Sequence, residues 1–510
     1  MHSSSPVLDL VRSAASVGER SRITVWAPAL LLALAVGSLL AFAASSAPTR
    51  GLWFDEYATL YFADPATPPA ALLADTHPPL YYLLVRAAQS LGLSEQSAMW
   101  AANGMAIVGF CLLAFALLAR AGRPRFALVA IAAALASPAA LTYALEGRNY
   151  SMAQFACLAL TAAALAREKK PLTRADILLP VLAVLGAAAH LYGALFAGAF
   201  GAALTVVAFA QKRQPDLIRG LIIGASASVA VIIWLAIAAP VIFGERNLVE
   251  WIPNTLSYTV GQFWFFNKTL SGFGPNVVFL VTGLLLCLWL RTSRPAAALL
   301  ALTAAVFFTL PVIASVFVPM LHGRYLAIAA PALVMLALHT AFRAADPAAA
   351  TQPRVRAGAV VAFSLFALIA AVFAPNAAAR FNAENRYPWQ GEEVRALLGN
   401  CDAPRLRVWS PDLPKVGDVD QQALYLASYR RALGRNDVVL EPSTGAVRDI
   451  ADYPCDLIAW GEHTTTFGLE KADEAALLAE LRLKNATAAP LSIVLHDVGF
   501  VLMRAHPEQN

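Results

Sequence analysis

Two adjacent acids, Asp55 and Glu56, stand in the aromatic run Trp53-Phe54-Asp55-Glu56-Tyr57, just after the first long apolar stretch. A carboxylate within hydrogen-bond reach of a hydroxyl can take its proton as the oxygen attacks, so this residue type suits general-base work. Adjacent residues face different ways whatever the local structure, so two working acids would hold two different jobs. The plain alternative is a pair of solvated loop charges among aromatics that mark a membrane interface. A second cluster follows in Thr76-His77-Pro78-Pro79-Leu80-Tyr81-Tyr82. Its prolines stop any helix upstream and can open a new one at Pro79 or just after it. The stretch Leu80–Leu91 is apolar apart from residues such as Arg86 and Gln89 and is too short to span, which predicts an interfacial helix.

Three further clusters carry imidazole or guanidinium groups: Glu146-Gly147-Arg148-Asn149-Tyr150, His190 with Tyr192, and His322-Gly323-Arg324-Tyr325. Arginine forks suit phosphate, because they present paired donors and stay charged. Arginine and histidine at the ends of apolar runs also serve simply as anchors.

The elements that must position these groups are membrane spans. Of 510 residues, 59% are hydrophobic and 14% charged, with a mean hydropathy of +0.60. That charge content is well below the soluble norm of about a quarter. Apolar stretches of roughly 18 or more residues recur between about residues 25 and 375, each long enough to cross a bilayer. About eleven spans are predicted. The first is about Val25–Ala44, read as a retained anchor, and the second about Ser97–Ala119. The third is about Phe126–Leu145, the tenth runs from about Arg324 to Arg343, and the eleventh is about Ala357–Ala374. The arginine and lysine clusters fall on alternate sides, which places the N-terminus in the cytoplasm and everything from about Asn376 outside. Arg148, His190 and Arg324 then lie on the external side, where positive charge is not needed for topology. That raises the weight of Arg148 and Arg324 as binders of an anion. The net charge of +5 is small for this length, and its short clusters read as topology signals, not as a nucleic-acid surface. No phosphate-binding glycine loop or dinucleotide fingerprint is present.

The tail reads as a small α/β domain. Strands are expected at Leu406–Trp409, Val438–Leu440, Leu457–Trp460 and Ser492–Leu495, with helices at Glu392–Leu398, Gln421–Leu433 and Glu470–Leu483. Two domains follow, a transmembrane domain over 1–375 and an external α/β domain over 376–510. Five cysteines are too few for a disulfide scaffold, and no metal-ligand spacing appears among them. A Cys401–Cys455 bridge in the tail is expected from its oxidising side.

One external face thus carries a carboxylate pair, a histidine before two prolines, and two arginines. A lipid phosphate could lie with its tail in the bilayer and its phosphate on the arginines, while a carboxylate deprotonates an incoming hydroxyl. These residues resemble a known family. The multi-span plan, Phe54-Asp55-Glu56-Tyr57 and His77-Pro78-Pro79-Leu80-Tyr81-Tyr82 look like the glycosyltransferase-C superfamily. The match is to its glycosyltransferase 39-like group of protein O-mannosyltransferases and bacterial lipid A aminoarabinose transferases. Arg148-Asn149-Tyr150 is similar to the group's Arg-x-Tyr element and Arg324-Tyr325-Leu326 to its Arg-Tyr-Leu element. The resemblance covers about residues 25–375.

The resemblance implies a mainly α, polytopic helical bundle in the bacterial inner membrane. It implies transfer of a sugar from a polyprenyl-phosphate donor, with inversion, to a periplasmic lipid, glycan or protein. Asp55 would be the base, with Glu56 and His77 supporting the site and acceptor and Arg148 and Arg324 holding the donor phosphate. Candidate lining residues are Tyr57, Tyr82, Tyr150, His190 and Tyr325. No cofactor is required, and no ligand cluster calls for a divalent metal, although one stays open. The loop has His77 where the aminoarabinose transferases carry lysine, which disfavours that sugar. A transporter or flippase of a lipid-linked sugar is the alternative reading; it calls for ionisable residues at mid-membrane, whereas the charges here sit at span ends.

Overall fold

The computed structural model describes residues 54–68, 72–73, 77–242, 255–262, 294–316 and 320–344, with parts of 32–40 and strand segments between 406 and 505. The predicted first, eighth and eleventh spans lie wholly or largely outside the described residues. So do the three predicted tail helices, Cys401 and Cys455.

The described helices are α1 Phe54–Ala63, α2 Leu80–Ser90, α3 Glu95–Arg120, α4 Pro124–Leu135, α5 Pro138–Ala144 and α6 Tyr150–Arg167. They continue as α7 Leu178–Ala189, α8 Leu191–Ala210, α9 Gln214–Ile242, α10 Arg294–Ser315, α11 Gly323–Leu326 and α12 Ala330–Ala344. Among the described residues, five stretches are long and apolar enough to cross a membrane: α3, α8, Gln214–Ala239 within α9, α10, and Gly323–Arg343.

Helix α2 begins where the prolines predict, with Pro79 as its N-cap. It buries Tyr81, Tyr82, Val85 and Ala88, while Leu83 stays exposed. Its Arg86 reaches back to the end of α1 and donates to the carbonyls of Phe62 (3.1 Å), Ala63 (3.2 Å), Asp64 (2.8 Å) and Thr67 (3.2 Å). The last carbonyls of a helix have no partner within it, and a cation at that end also suits the helix dipole. Arg86 therefore fastens α1 in place.

The third predicted span is two helices. Pro138 has no N–H to give and its ring clashes with the preceding turn. The chain breaks there, and Ser137 caps the new helix by accepting from Ala140 N–H at 3.2 Å. The end of α5 is closed by side chains. Asn103 donates to the carbonyls of Tyr143 (3.4 Å), Ala144 (3.2 Å) and Glu146 (2.6 Å). Trp100 Nε1 donates to Leu145 O at 3.0 Å, and Ser151 Oγ to Tyr143 O at 2.6 Å. Unmet carbonyls inside a bilayer cost several kcal/mol each, so a helix can end here only with such partners.

Helix α6 runs through the middle, its residues from Tyr150 to Ala166 all buried. Close packing around it uses glycine. A Cβ on Gly193 would stand 2.2 Å from Gly186 O, so α7 and α8 touch backbone to backbone. Without a solvent-driven hydrophobic force, membrane helices gain from such approach.

The charges at the end of α6, in the loop after it and at the start of α9 form one ion-pair network with Arg123 and Arg343. Glu168 takes Arg343, with Arg123 at 3.3 Å and Arg213 at 3.5 Å. Asp216 takes Arg219 at 2.7 Å and Arg213 at 3.2 Å. Asp176 takes Arg219 at 2.7 Å and Arg167 at 3.1 Å. Burial alone would raise both the Glu168 and Asp176 carboxyls. The neighbouring His339, Arg343 and Arg123 hold Glu168 at about 2 instead, and hydrogen bonds from Arg219, Arg167 and Thr173 do the same for Asp176.

In the tail, strands appear at the four predicted places. They are β1 Leu406–Ser410, β4 Val438–Pro442, β5 Leu457–Trp460 and β6 Leu491–Asp497; β2 Lys415–Val416, β3 Val419–Asp420 and β7 Phe500–Ala505 join them. The larger sheet has the order β4-β1-β5-β7-β6, and β1 lies parallel to both neighbours. Strands β5, β7 and β6 run antiparallel.

Candidate functional site

Helix α1 carries the acid pair at its start, Asp55 in its second position and Glu56 in its third. Consecutive helical positions lie about 100° apart, so the pair cannot share one direction. Glu56 is fully buried, and its Oε1 accepts the Gly147 N–H at 2.5 Å. The neighbouring Arg148 is also buried and donates from Nη1 to Thr59 Oγ1 at 3.3 Å. Two hydrogen bonds thus join α1 to the turn before α6. The turn is tight at its glycine: a Cβ on Gly147 would overlap the end of the Met99 side chain, which would have to shift, and would stand 3.2 Å from Glu56 Oε1.

Next to this junction is a cluster of rings. His190 is at its centre, with centroid distances of 4.9 Å to His77, 5.0 Å to Tyr325, 5.6 Å to Tyr150 and 5.9 Å to Tyr192. Tyr325 also lies 6.2 Å from His77, 6.1 Å from Tyr150 and 5.3 Å from His322. The backbone of His190 is extended (φ −163°) between α7 and α8, and its Nδ1 accepts Tyr192 N–H at 3.0 Å as the cap of α8. Burial, together with His77 and Arg148, holds its pKa well below the usual histidine range. His322 repeats the device at the start of α11, where Nδ1 accepts Arg324 N–H at 3.2 Å. Burial and the Arg324 charge push His322 down to about 3. Both imidazoles are therefore neutral donors and acceptors at neutral pH.

The loop after α9 reaches the same place. Its helical residues 256–262 bring Gln262 Oε1 to accept Gly323 N–H at 2.6 Å. Burial raises the Tyr258 hydroxyl to about 12 against the opposing charge of Arg324, which puts that arginine beside it.

Of the residues expected from sequence, His77, Tyr150, His190 and Tyr325 converge in the ring cluster. Arg148 and Glu56 meet beside it, and Asp55 and Tyr57 flank Glu56 along α1. Arg324 stands at the head of α11, next to Tyr325. Tyr82 differs: its described ring contacts are Phe62 at 5.3 Å and Tyr81 at 6.4 Å, in the core between α1 and α2. Several residues escaped the sequence reading. Thr59 gave no signal, and Arg86 was legible only as a charge in the apolar stretch Leu80–Leu91. Asn103 did give one, as a polar residue inside an otherwise apolar span. Among the described residues, no group of three or more His, Cys, Asp or Glu side chains could hold a metal ion. The site is rich in hydrogen-bond donors and aromatic faces, a composition that suits an anionic, oxygen-rich ligand.

No protein-family model and no curated protein matches the sequence. Solved structures do match. ArnT from Cupriavidus metallidurans in the apo state aligns with a TM-score of 0.55 at 12% identity, covering 95% of this chain and 99% of that one. The same protein bound to undecaprenyl phosphate aligns at 0.53 and 14% identity over 95% and 99%. The Archaeoglobus fulgidus oligosaccharyltransferase in complex with zinc and sulfate aligns at 0.48 and 11% identity, covering 92% and 73%. The fold shared with ArnT is the glycosyltransferase-C fold that the motifs resemble.

Proposed function

We propose that this chain, which has the glycosyltransferase-C fold, is a membrane glycosyltransferase that moves a sugar from a polyprenyl-phosphate donor onto a periplasmic acceptor. The observation that carries the reading is the junction at Gly147-Arg148. It ties the helix bearing the acid pair to a buried guanidinium through Glu56 and Thr59. That the ArnT structure sharing this fold was solved with undecaprenyl phosphate supports the choice of donor.

In the proposed reaction the acceptor hydroxyl oxygen attacks the anomeric carbon from the face opposite the phosphate. The carbon–oxygen bond to phosphate breaks, and the polyprenyl phosphate leaves with the electron pair. Asp55 takes the acceptor proton. The phosphate is a good leaving group, so no general acid is needed, and one displacement inverts the anomeric carbon. Arg148 and Arg324 hold the phosphate and absorb its growing charge. Glu56 holds the Gly147 turn and, with His77, supports the acceptor side. Tyr57, Tyr150, His190 and Tyr325 line the site, with Tyr82 behind.

The same reading makes residues 1–375 the catalytic membrane domain and 376–510 a periplasmic α/β domain, with the N-terminus in the cytoplasm. The purified chain in lipid, supplied with a labelled polyprenyl-phosphate sugar and envelope acceptors, should release polyprenyl phosphate and form a labelled product of inverted anomeric configuration. Movement of intact donor across the bilayer with no transfer would overturn the reading in favour of a flippase. A periplasm-only reporter fused after Asn510 should be active, and activity of a cytoplasm-only reporter there would overturn the topology.

A further inference from the structure

The His190 ring has one nitrogen engaged and one not. Nδ1 accepts the Tyr192 N–H, so in the neutral ring the proton sits on Nε2. His190 is 3% exposed, Nε2 is buried, and among the described residues nothing accepts its hydrogen. The neighbouring rings of His77, Tyr150 and Tyr325 touch it without hydrogen-bonding to it. A buried donor with no acceptor is costly and rare, and native structures that keep one generally have a use for it. The cover over Nε2 is not the rigid core. His77 and Tyr325 are only half-buried, one on the loop before α2 and the other on the four-residue α11. An entering group can displace these rings, whereas Tyr150 behind is fixed in α6.

The group that suits this N–H is an oxygen that only accepts. The charge of Arg148 is felt at the His190 ring, so an anion is favoured there. A neutral imidazole adds a directed donor without a further charge and does not titrate near neutral pH.

We propose that His190 binds the donor, its Nε2–H donating to a phosphate oxygen of the polyprenyl phosphate beside Arg148. This assignment rests on the donor reading given above. It also explains why the ring serves as a helix cap: the Tyr192 N–H fixes the tautomer that leaves the proton on the inner nitrogen.

The two nitrogens can be separated by substitution. Asparagine places an oxygen where Nδ1 stands, so His190→Asn keeps the cap and deletes the inner donor. Glutamine reaches the position of Nε2, so His190→Gln keeps a donor there and loses the cap. Undecaprenyl phosphate, the lipid without its sugar, is the probe, and its binding and the thermal midpoint are measured on the full chain in lipid nanodiscs. His190→Asn should melt like wild type yet bind the probe about tenfold or more weaker, the usual loss for a hydrogen bond to a charged group. Its donor KM should rise by a similar factor with a smaller change in kcat. His190→Gln should melt lower and bind closer to wild type. A His190→Asn variant that binds as wild type does, while His190→Gln is impaired, overturns the assignment and leaves His190 a cap and core residue. A wild-type chain that does not bind undecaprenyl phosphate overturns the donor reading itself, and this assignment with it.

Discussion

The two ends of α6 handle charge in opposite ways. The helix is 18 residues long, so the two clusters at its ends stand about 27 Å apart. At the Arg167 end, Asp176, Glu168 and Asp216 take up Arg123, Arg167, Arg213, Arg219 and Arg343 in ion pairs, and Arg219 is 1% exposed. At the Tyr150 end, imidazoles and phenols are packed together, and buried atoms such as His190 Nε2, Tyr143 Oη and Asn149 Oδ1 have no partner among the described residues. A network of buried charge pairs resists change, because removing one partner strands the others. A cluster with buried donors and acceptors to spare is the one that gains from a ligand. The first end holds the helices together, and the second is where the proposed donor site lies.

The largest effect should come from Asp55 at the binding end. Asp55→Asn keeps the shape and removes the base, so transfer should fall by about 10²- to 10⁴-fold, the usual worth of a general base. Donor binding and folding should be retained, as read by probe affinity and thermal midpoint. Near-normal transfer by this variant with an inactive Glu56→Gln would exchange the two roles.

Breaking the other end should cost stability instead. Arg219→Ala strands Asp176 and Asp216 in buried sites and should destabilise the protein by about 3–5 kcal/mol. Transfer per folded molecule should stay unchanged. A loss of transfer beyond the loss of folded protein would erase the division of labour between the ends.

Arg148→Ala and Arg324→Ala should each raise the donor KM by about ten- to a hundredfold, and Arg→Lys less, because lysine keeps the charge but not the fork. Donor saturation curves measure this. Two alanine variants with wild-type donor use would make these arginines packing residues. Gly147→Ala tests the junction between them: its Cβ meets Met99 Sδ at 2.3 Å. Transfer should drop, and the double variant with Met99→Ala should recover most of the loss, since the obstruction is the end of a flexible side chain.

The smallest expected effect is one of pH. His322 sits at about 3, below the unfolded histidine value of about 6.5. Below that unfolded value the denatured chain takes up a proton that the folded chain refuses, so stability falls as pH drops from about 6.5 toward 3. Glu168 and Asp176 are held at about 2. Their contribution is full above the unfolded carboxylate value and is lost only as pH falls from about 4 toward 2. Between pH 7 and 5 the two carboxylates keep their full contribution, while His322 loses part of its own. His322→Asn, which preserves the cap, should lessen that fall by on the order of 1–2 kcal/mol. Thermal midpoints at the two pH values decide it, and an unchanged fall would remove His322 from the account.

Much of the fold was legible because single residues force it. Pro79 starts α2 where two adjacent prolines must end one element and open another. The strands at Val438–Pro442 and Leu457–Trp460 follow from short apolar β-branched runs. The break at Ser137-Pro138 was written in the sequence too, yet the predicted span ran through it, because hydropathy averages over a window and does not see one missing N–H. The candidate site was legible as residue types but not as an arrangement. Nothing in the spacing says that Arg86 closes the end of α1, or that Gly147 meets a carboxyl 91 positions earlier.

By itself the sequence determined that the chain carries several helices long and apolar enough to cross a membrane. Transfer of charge and of unpaired backbone into lipid is so costly that composition and periodicity alone settle it. It also offered Asp55, Glu56, His77, Arg148 and Arg324 as chemically competent groups. Only the tertiary structure decided which groups meet: that Glu56 is spent on the Gly147 turn, that Tyr82 belongs to the core, and that His190 keeps a buried donor to spare. Hydrogen bonds act over about 3 Å, and residues that far apart in space were tens to hundreds of positions apart along the chain.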